Sequence, residues 1–259
     1  MPNAKDVTLH SEWKKFHVMG DYGTGKSVFG SSFPTPGYVF DFDEGIETYR
    51  GLDFDYDQFE MSWKGWVDFE RALKEVVKKV KEGKYVSVIV DSTTTMGELA
   101  MERALQLDPK RSATGGPIWN VHYQMVRNLM EGKLRQIVSL PCNILVNSHI
   151  SIQRDDDGNV LRVEPLLVGQ LSSIVPGWFS EVYYATTRRI SVGGKMDTQF
   201  VLQTISIGPV KARSRYSGKL RLLDDFVPND FNLLIKQMEE REKQQQKKKG
   251  EKNGKKKDK

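Results

Sequence analysis

The eight residues Gly20-Asp21-Tyr22-Gly23-Thr24-Gly25-Lys26-Ser27 constrain this chain more than any other stretch. Glycines at this spacing let a loop wrap a phosphate with its backbone N–H groups, and the Lys-Ser pair that closes the run supplies an ammonium and a hydroxyl. The chemistry needs a strand before the loop and a helix after it. Phe16-His17-Val18-Met19 predicts the strand, and a helix is predicted to start near Gly25 and stop before Pro34. Residues Gly20, Asp21, Tyr22, Gly23, Thr24, Gly25, Lys26, Ser27 and Val28 are therefore the candidate phosphate-binding set. Lys26 is expected to reach the β and γ phosphates of ATP, and the Ser27 hydroxyl to bind Mg²⁺. The partial positive charge of a helix N-terminus adds to the attraction.

The rest of the body alternates strand and helix patterns. Tyr38 to Phe42 reads as a strand, ending in the acidic cluster Asp41, Asp43 and Glu44. Trp66, Phe69, Leu73, Val76, Val77 and Val80 follow helical spacing up to Gly83. Val86-Ser87-Val88-Ile89-Val90 is a β-branched run suited to a buried parallel strand. Helices are predicted over Met96 to Leu107 and Trp119 to Leu140, with a polar loop from Asp108 to Pro117 between them and a strand over Asn143 to Asn147 after them. Two hairpins follow, Ile150–Arg154 with Val160–Val163 and Tyr183–Val192 with Gln199–Ile207. The pattern predicts an α/β fold with a mainly parallel central sheet and antiparallel strands toward the C-terminus.

Ligands of such sheets lie at the carboxyl ends of the strands. Asp91 ends its apolar strand there and is the candidate second metal ligand beside Ser27. Hydrolysis also needs a group that orients the attacking water. The cluster after the second strand supplies it, with Glu44 favoured and Asp43 its close rival.

Composition narrows the alternatives. The formal net charge is +5, and the segment from Glu239 to Lys259 alone carries ten Lys or Arg against five Asp or Glu. The body is then formally neutral, so the charge describes the tail and not a basic face. Residues 1–238 are expected to form one domain, and 239–259 a disordered Lys-rich tail without apolar periodicity. No apolar run reaches the roughly 20 residues of a membrane span, and Met1 to Asp6 carries no apolar leader pattern. The single cysteine, Cys142, forms no internal disulfide and suits a reducing compartment as a small buried thiol. His10, His17, His122 and His149 lack zinc spacing. Asp155-Asp156-Asp157-Gly158 partly mimics a calcium loop, but its flanks alternate like strands, which favours a hairpin turn. Trp63, Trp66, Trp119 and Trp178 are expected to be core or loop anchors rather than base-stacking platforms.

The order of these motifs resembles the RecA-type P-loop ATPases, most closely the small phage-encoded proteins of the Sak-type (fourth family) single-strand annealing group. Carriers of the resemblance are the glycine loop, Phe40-Asp41-Phe42-Asp43-Glu44-Gly45, Val88-Ile89-Val90-Asp91-Ser92, Leu145-Val146-Asn147-Ser148-His149-Ile150 and Val210-Lys211-Ala212-Arg213, spread from about Phe16 to Leu223. The resemblance implies that Asp43 or Glu44 activates water. It implies that His149, where the family often has Gln, senses the γ-phosphate and couples it to a DNA-binding loop. Loops 108–117 and 151–169, with Lys110, Arg111, Arg154 and Arg162, fall where such proteins contact DNA. Lys211 and Arg213 resemble basic fingers that reach a neighbouring subunit's nucleotide, with Arg215 competing for the role.

The function implied is an ATP-dependent recombination protein that binds single-stranded DNA as a ring or filament and promotes annealing or strand exchange. A single-strand-binding protein as partner, and the bacterial cytoplasm with a phage or prophage origin, follow from the resemblance alone. A P-loop small-molecule kinase, a helicase-loader or motor accessory ATPase, and a non-hydrolysing DNA-binding scaffold are the alternatives. The kinase predicts an Arg-rich lid, of which the sequence carries no compact signature.

Overall fold

In a computed structural model, residues 13–217 and 220–254 of the chain are described. The apolar strand patterns assemble into one eight-stranded sheet with the order β10-β9-β8-β1-β5-β4-β2-β3. Six strands run parallel: β1 (Lys15–Gly20), β2 (Gly37–Asp41), β3 (Phe54–Gln58), β4 (Ser87–Asp91), β5 (Asn143–Ser148) and β8 (Glu181–Val192). β9 (Lys195–Gln203) and β10 (Phe226–Pro228) add antiparallel at one edge. β6 (Ile150–Arg154) and β7 (Val160–Pro165) form a separate hairpin. Strands β2, β4 and β5 are buried along their whole length, as continuous apolar runs covered on both faces should be.

Two hydrophobic cores result, one on each face of the sheet. On one face, α2 (Trp63–Lys81), α3 (Thr93–Leu107) and α4 (Trp119–Val138) bury Trp66, Phe69, Leu99, Met130 and Leu134. On the other, α1 (Lys26–Ser31) and α6 (Phe231–Gly254) cover Phe16, Phe29, Phe33 and Tyr183. Phe16 touches Phe29, Tyr183 and Phe231 with ring centroids 5.4, 5.5 and 5.9 Å apart, so the first strand, the first helix and the last helix share one aromatic cluster. Among the described residues, no helix is long and apolar enough to cross a membrane.

Several elements depart from the sequence pattern. β3 escapes it because alternating Asp residues mark an exposed edge strand, where charge discourages further pairing. The short helix α5 (Leu171–Ile174) and β10 give too few residues for periodicity. Beyond Glu239, where a disordered tail is expected, α6 continues to Gly254. Its Lys, Gln and Glu residues are good helix formers. Its body is tied down by Arg241 and Gln237 on Asp224 and by Gln245 on the carbonyl of Leu220. Residues 255–259 lie outside the described residues. Cys142 is buried, and burial pushes its thiol up to about 12.

Trp66 is fully buried between α2 and the sheet, and its indole N–H has no hydrogen-bond partner among the described residues. Trp66→Ala is therefore expected to lower unfolding free energy by about 3–5 kcal/mol. Trp66→Phe should cost much less, because there is no hydrogen bond to lose; denaturant unfolding of both variants measures the difference.

Candidate nucleotide site

The parallel strands deliver their carboxyl ends to one edge, and the glycine loop, Asp43, Asp91 and His149 meet there. Gly20 ends β1 against β8; a Cβ on it would meet the Thr24 hydroxyl at 2.7 Å and the Ala185 carbonyl at 2.8 Å. Gly25 takes the left-handed conformation, φ 84°, that turns the loop into α1. A side chain there would also strike the amide of Asn229, which donates to the Gly25 carbonyl at 2.8 Å.

Lys26 is buried at the head of α1, and its ammonium donates to the carbonyls of Gly20 (3.0 Å) and Asp21 (2.9 Å). Burial lowers its pKa, against the pull of Asp91, Asp43 and Asp21. Asp91 ends β4 and is also buried. Burial raises its pKa, opposed by hydrogen bonds from Ser27 and Asn147, the latter at 3.1 Å. Ser27 and Asp91 thus stand together, as a hydroxyl and a carboxylate sharing one cation would. The side-chain oxygen of Asn147 is buried beside them without a partner among the described residues. A single carboxylate, a hydroxyl and phosphate oxygens suit Mg²⁺, which keeps several waters and rarely uses an all-protein cage.

The acidic cluster after β2 separates into three roles. Asp41 is buried and accepts from the Gly45 amide and the Gln58 side chain, so it shapes the turn. The Asp91 carbonyl accepts the amides of Phe42 (2.7 Å) and Asp43 (3.1 Å), which locks that turn onto β4. Asp43 then faces the cleft. It accepts from Ser92 (3.1 Å) and Thr95 and meets His149 Nε2 at 3.1 Å. Burial works to raise the Asp43 pKa, but these hydrogen bonds outweigh it and hold the carboxyl below the usual range. Glu44, at φ 56°, is exposed and does not line the cleft.

His149 follows β5, the strand that separates β1 from β4. Its other ring nitrogen lies 3.5 Å from the Lys26 ammonium, and Tyr22 covers the ring at 4.3 Å between centroids. Its backbone accepts from Leu166 N at 2.8 Å, and its amide donates to Thr94, whose hydroxyl in turn donates to the Leu166 carbonyl. Beneath it, the neutral ring of His17, its pKa lowered to about 3 by burial, bonds Ser148, which bonds Thr93.

Together Tyr22, Lys26, Ser27, Val28, Asp43, Asp91, His149 and Phe200 enclose a cleft of about 320 Å³. Phe200 of β9 gives it an aromatic wall beside Gly25. Sequence reasoning missed Phe200, Asn229 and the hydroxyls of Ser92, Thr93 and Thr95. The run Ser92-Thr93-Thr94-Thr95 after Asp91 was a signal for the hydroxyls; the other two come from a C-terminal segment far away in sequence.

The basic strand is placed elsewhere. Arg213 pairs with Val182, and its guanidinium donates to the carbonyls of Pro176 (3.0 Å) and Phe179 (2.5 Å). With Lys211 it lines a second cavity of about 300 Å³, away from the cleft. Arg215 is exposed. In the expected DNA-contacting loops, Arg111 turns back on the carbonyls of Leu105, Asp108 and Lys110, Arg154 bonds the Gly158 carbonyl, and Arg162 pairs with Glu164. Asp155 to Asn159 forms the turn of the β6–β7 hairpin, with Asn159 bonded to Asp155.

A family model described as an AAA domain matches residues 12–216. No curated protein matches the chain. Among solved structures, an ATPase from the type III secretion system of pathogenic bacteria is similar, with 14% identity and a TM-score of 0.42, over 67% of this chain and 51% of that one. The chain thus spans about half the length of that structure. β10 and α6 lie beyond the matched span.

Lys26→Ala removes the one ammonium that lines the cleft among the described residues and is expected to weaken ATP binding at least tenfold, a loss of about 1.4 kcal/mol or more. Titration with a fluorescent ATP analogue, beside a circular dichroism spectrum matching the wild type, checks it.

Proposed function

The chain belongs to the AAA domain family, and from that premise we propose that it hydrolyses ATP with Mg²⁺ to drive the binding and release of single-stranded DNA. It works as an oligomer in phage-type recombination, by annealing or strand exchange. One observation carries this reading: His149 touches Asp43 and Lys26 through its ring and Leu166 through its backbone. A group that contacts the phosphate-facing side chains is thereby also a support of the segment after the β6–β7 hairpin. The order of the RecA-like motifs supports the DNA assignment.

In this reading the loop amides and Lys26 bind the β and γ phosphates. Ser27 and Asp91 would hold Mg²⁺, which would supply positive charge against the phosphates. Asp43, kept ionised by its hydrogen bonds, orients the attacking water; Glu44 lies outside the cleft. His149 changes partners when a γ-phosphate takes up the Lys26 ammonium, and the Leu166 bond carries that change outward. A ligand shifts such an equilibrium only by its differential contacts with the two arrangements, and the His149 ring is where they differ. Across a subunit interface, Lys211 and Arg215 supply the positive charge. The Arg213 guanidinium is engaged by carbonyls of its own chain.

Three outcomes test this. ATP turnover should rise when single-stranded DNA is added, together with an increase in particle size by light scattering; turnover indifferent to DNA would remove the DNA reading. Asp43→Asn should cut turnover by about a hundredfold or more while ATP still binds, whereas the same loss from Glu44→Gln instead would reassign the role. Arg215→Ala should bind ATP normally yet lose turnover in the assembled protein, and wild-type turnover would exclude it as the trans group.

A further inference from the structure

Trp119, expected to be a core or loop anchor rather than a base-stacking platform, is 72% exposed at the first turn of α4. One face of its ring lies against Tyr123, 4.5 Å between centroids at 38°. The start of α4 is pinned by hydrogen bonds. His122, four residues beyond Ile118, accepts the Ile118 amide at 2.7 Å through Nδ1 and donates from Nε2 to the Asp108 carbonyl at 2.8 Å. That buried ring replaces the missing side-chain cap of α4 and closes the base of loop 108–117. An exposed indole held this firmly on a helix presents a fixed apolar face to solvent.

The surroundings give that face a partner class. Trp119 and Tyr123 line a depression of about 280 Å³ with Asn120, Gln124, Arg127 and the segment Val168–Gln170. Among the described residues, its single charged lining residue is Arg127. Glu131 approaches Arg127 only to 3.9 Å, while it bonds Arg135 at 2.9 Å, so Arg127 keeps most of its charge available. Lys110 and Arg111 are exposed on the loop that leads into α4. Adjacent aromatics, side-chain amides and a cation, with no carboxylate among the described lining residues, suit bases and phosphates of an unpaired strand. A peptide partner would need an open strand edge or a deeper apolar groove, and the depression offers neither.

We propose that Trp119 and Tyr123 form a base-stacking seat for single-stranded nucleic acid, with Arg127 on its phosphates. The seat rests on the functional reading above for its coupling to ATP. Gly169 and Gln170 at its rim continue directly from Leu166, whose amide bonds the His149 carbonyl and whose own carbonyl accepts from Thr94. A strand on the seat therefore presses on the same short segment that the nucleotide cleft holds from the other side.

The test uses the full chain with Mg²⁺ and ATP, oligo(dT), and an abasic deoxyribose-phosphate oligomer of the same length. Oligo(dT) should quench tryptophan fluorescence in the wild type. Trp119→Ala should lose that quenching and bind oligo(dT) roughly tenfold more weakly or worse. Trp119→Phe should retain most of the affinity, and the abasic oligomer should bind the wild type about as poorly as oligo(dT) binds Trp119→Ala. Turnover without DNA should be unchanged in both variants, because Trp119 lies outside the cleft. Equal affinity of Trp119→Ala and wild type for oligo(dT), or equal affinity of the two oligomers, overturns the seat and leaves the DNA reading standing. A Trp119→Ala variant that alters particle size but not DNA affinity makes the surface a contact between copies, which also overturns it. A wild type that binds no single strand removes the DNA reading together with the seat.

Discussion

An ammonium stripped of water has to be held by something, and at the head of α1 it is held by the loop it belongs to. Lys26 donates to the carbonyls of Gly20 and Asp21, so the glycine run is already closed around its own lysine. Burial disfavours that charge, and the carboxylates of Asp91 and Asp43 favour it. A phosphate chain entering the cleft brings the anion this setting lacks, while the carboxylates on the far side are themselves anchored by hydroxyl and amide donors. Desolvation of one cation thus organises the approach of three strands, because each must end within reach of it. Only a parallel sheet delivers several carboxyl ends to one edge in that way.

The site is completed from outside the span matched by the family. Asn229 bonds the carbonyl of Gly25, the amide of Phe231 bonds the Ser32 hydroxyl, and Asn232 bonds the Ser32 carbonyl. These contacts grip α1 at both ends, a helix of only six residues that could not hold its own geometry in isolation. The aromatic cluster of Phe16, Phe33 and Phe231 places α6 against the first strand and helix. Phosphate-binding geometry in this chain is therefore set by its last helix as well as by its first.

Legibility in the sequence followed physical range. The glycine loop, the parallel strands and Asp91 were readable because each is a local pattern whose chemistry needs its neighbours in sequence. Glu44 is favoured over its close rival Asp43 on no local mark, since both follow the same strand. Their difference arises from the Asp91 carbonyl, which fixes the turn from another strand. A basic residue on a short strand carries no mark of its partner, which is why Lys211, Arg213 and Arg215 all stand as candidate fingers. The Arg213 guanidinium meets carbonyls more than thirty residues earlier in the chain. The ordinary habit of tryptophan points Trp119 to a core or a loop anchor, and no local pattern marks its exposure at a helix start that His122 pins. The tail was judged by its inability to bury surface, whereas a helix continued from an anchored turn needs no core beyond that turn.

A formally neutral body limits what electrostatics can do for a nucleic-acid partner. Affinity built from phosphate contacts grows with the number of cations engaged and falls steeply with salt. Here most arginines near the expected DNA loops are paired or folded back on carbonyls. On the proposed function, a strand must then draw its affinity from stacking at each subunit, multiplied by assembly along it, since linked sites turn later contacts into intramolecular ones. That division of labour gives ATP a physical point of purchase. On that proposal a weak seat repeated along an oligomer is switched by small changes in each copy, and the His149–Leu166 bond links the nucleotide cleft to the segment at the seat's rim.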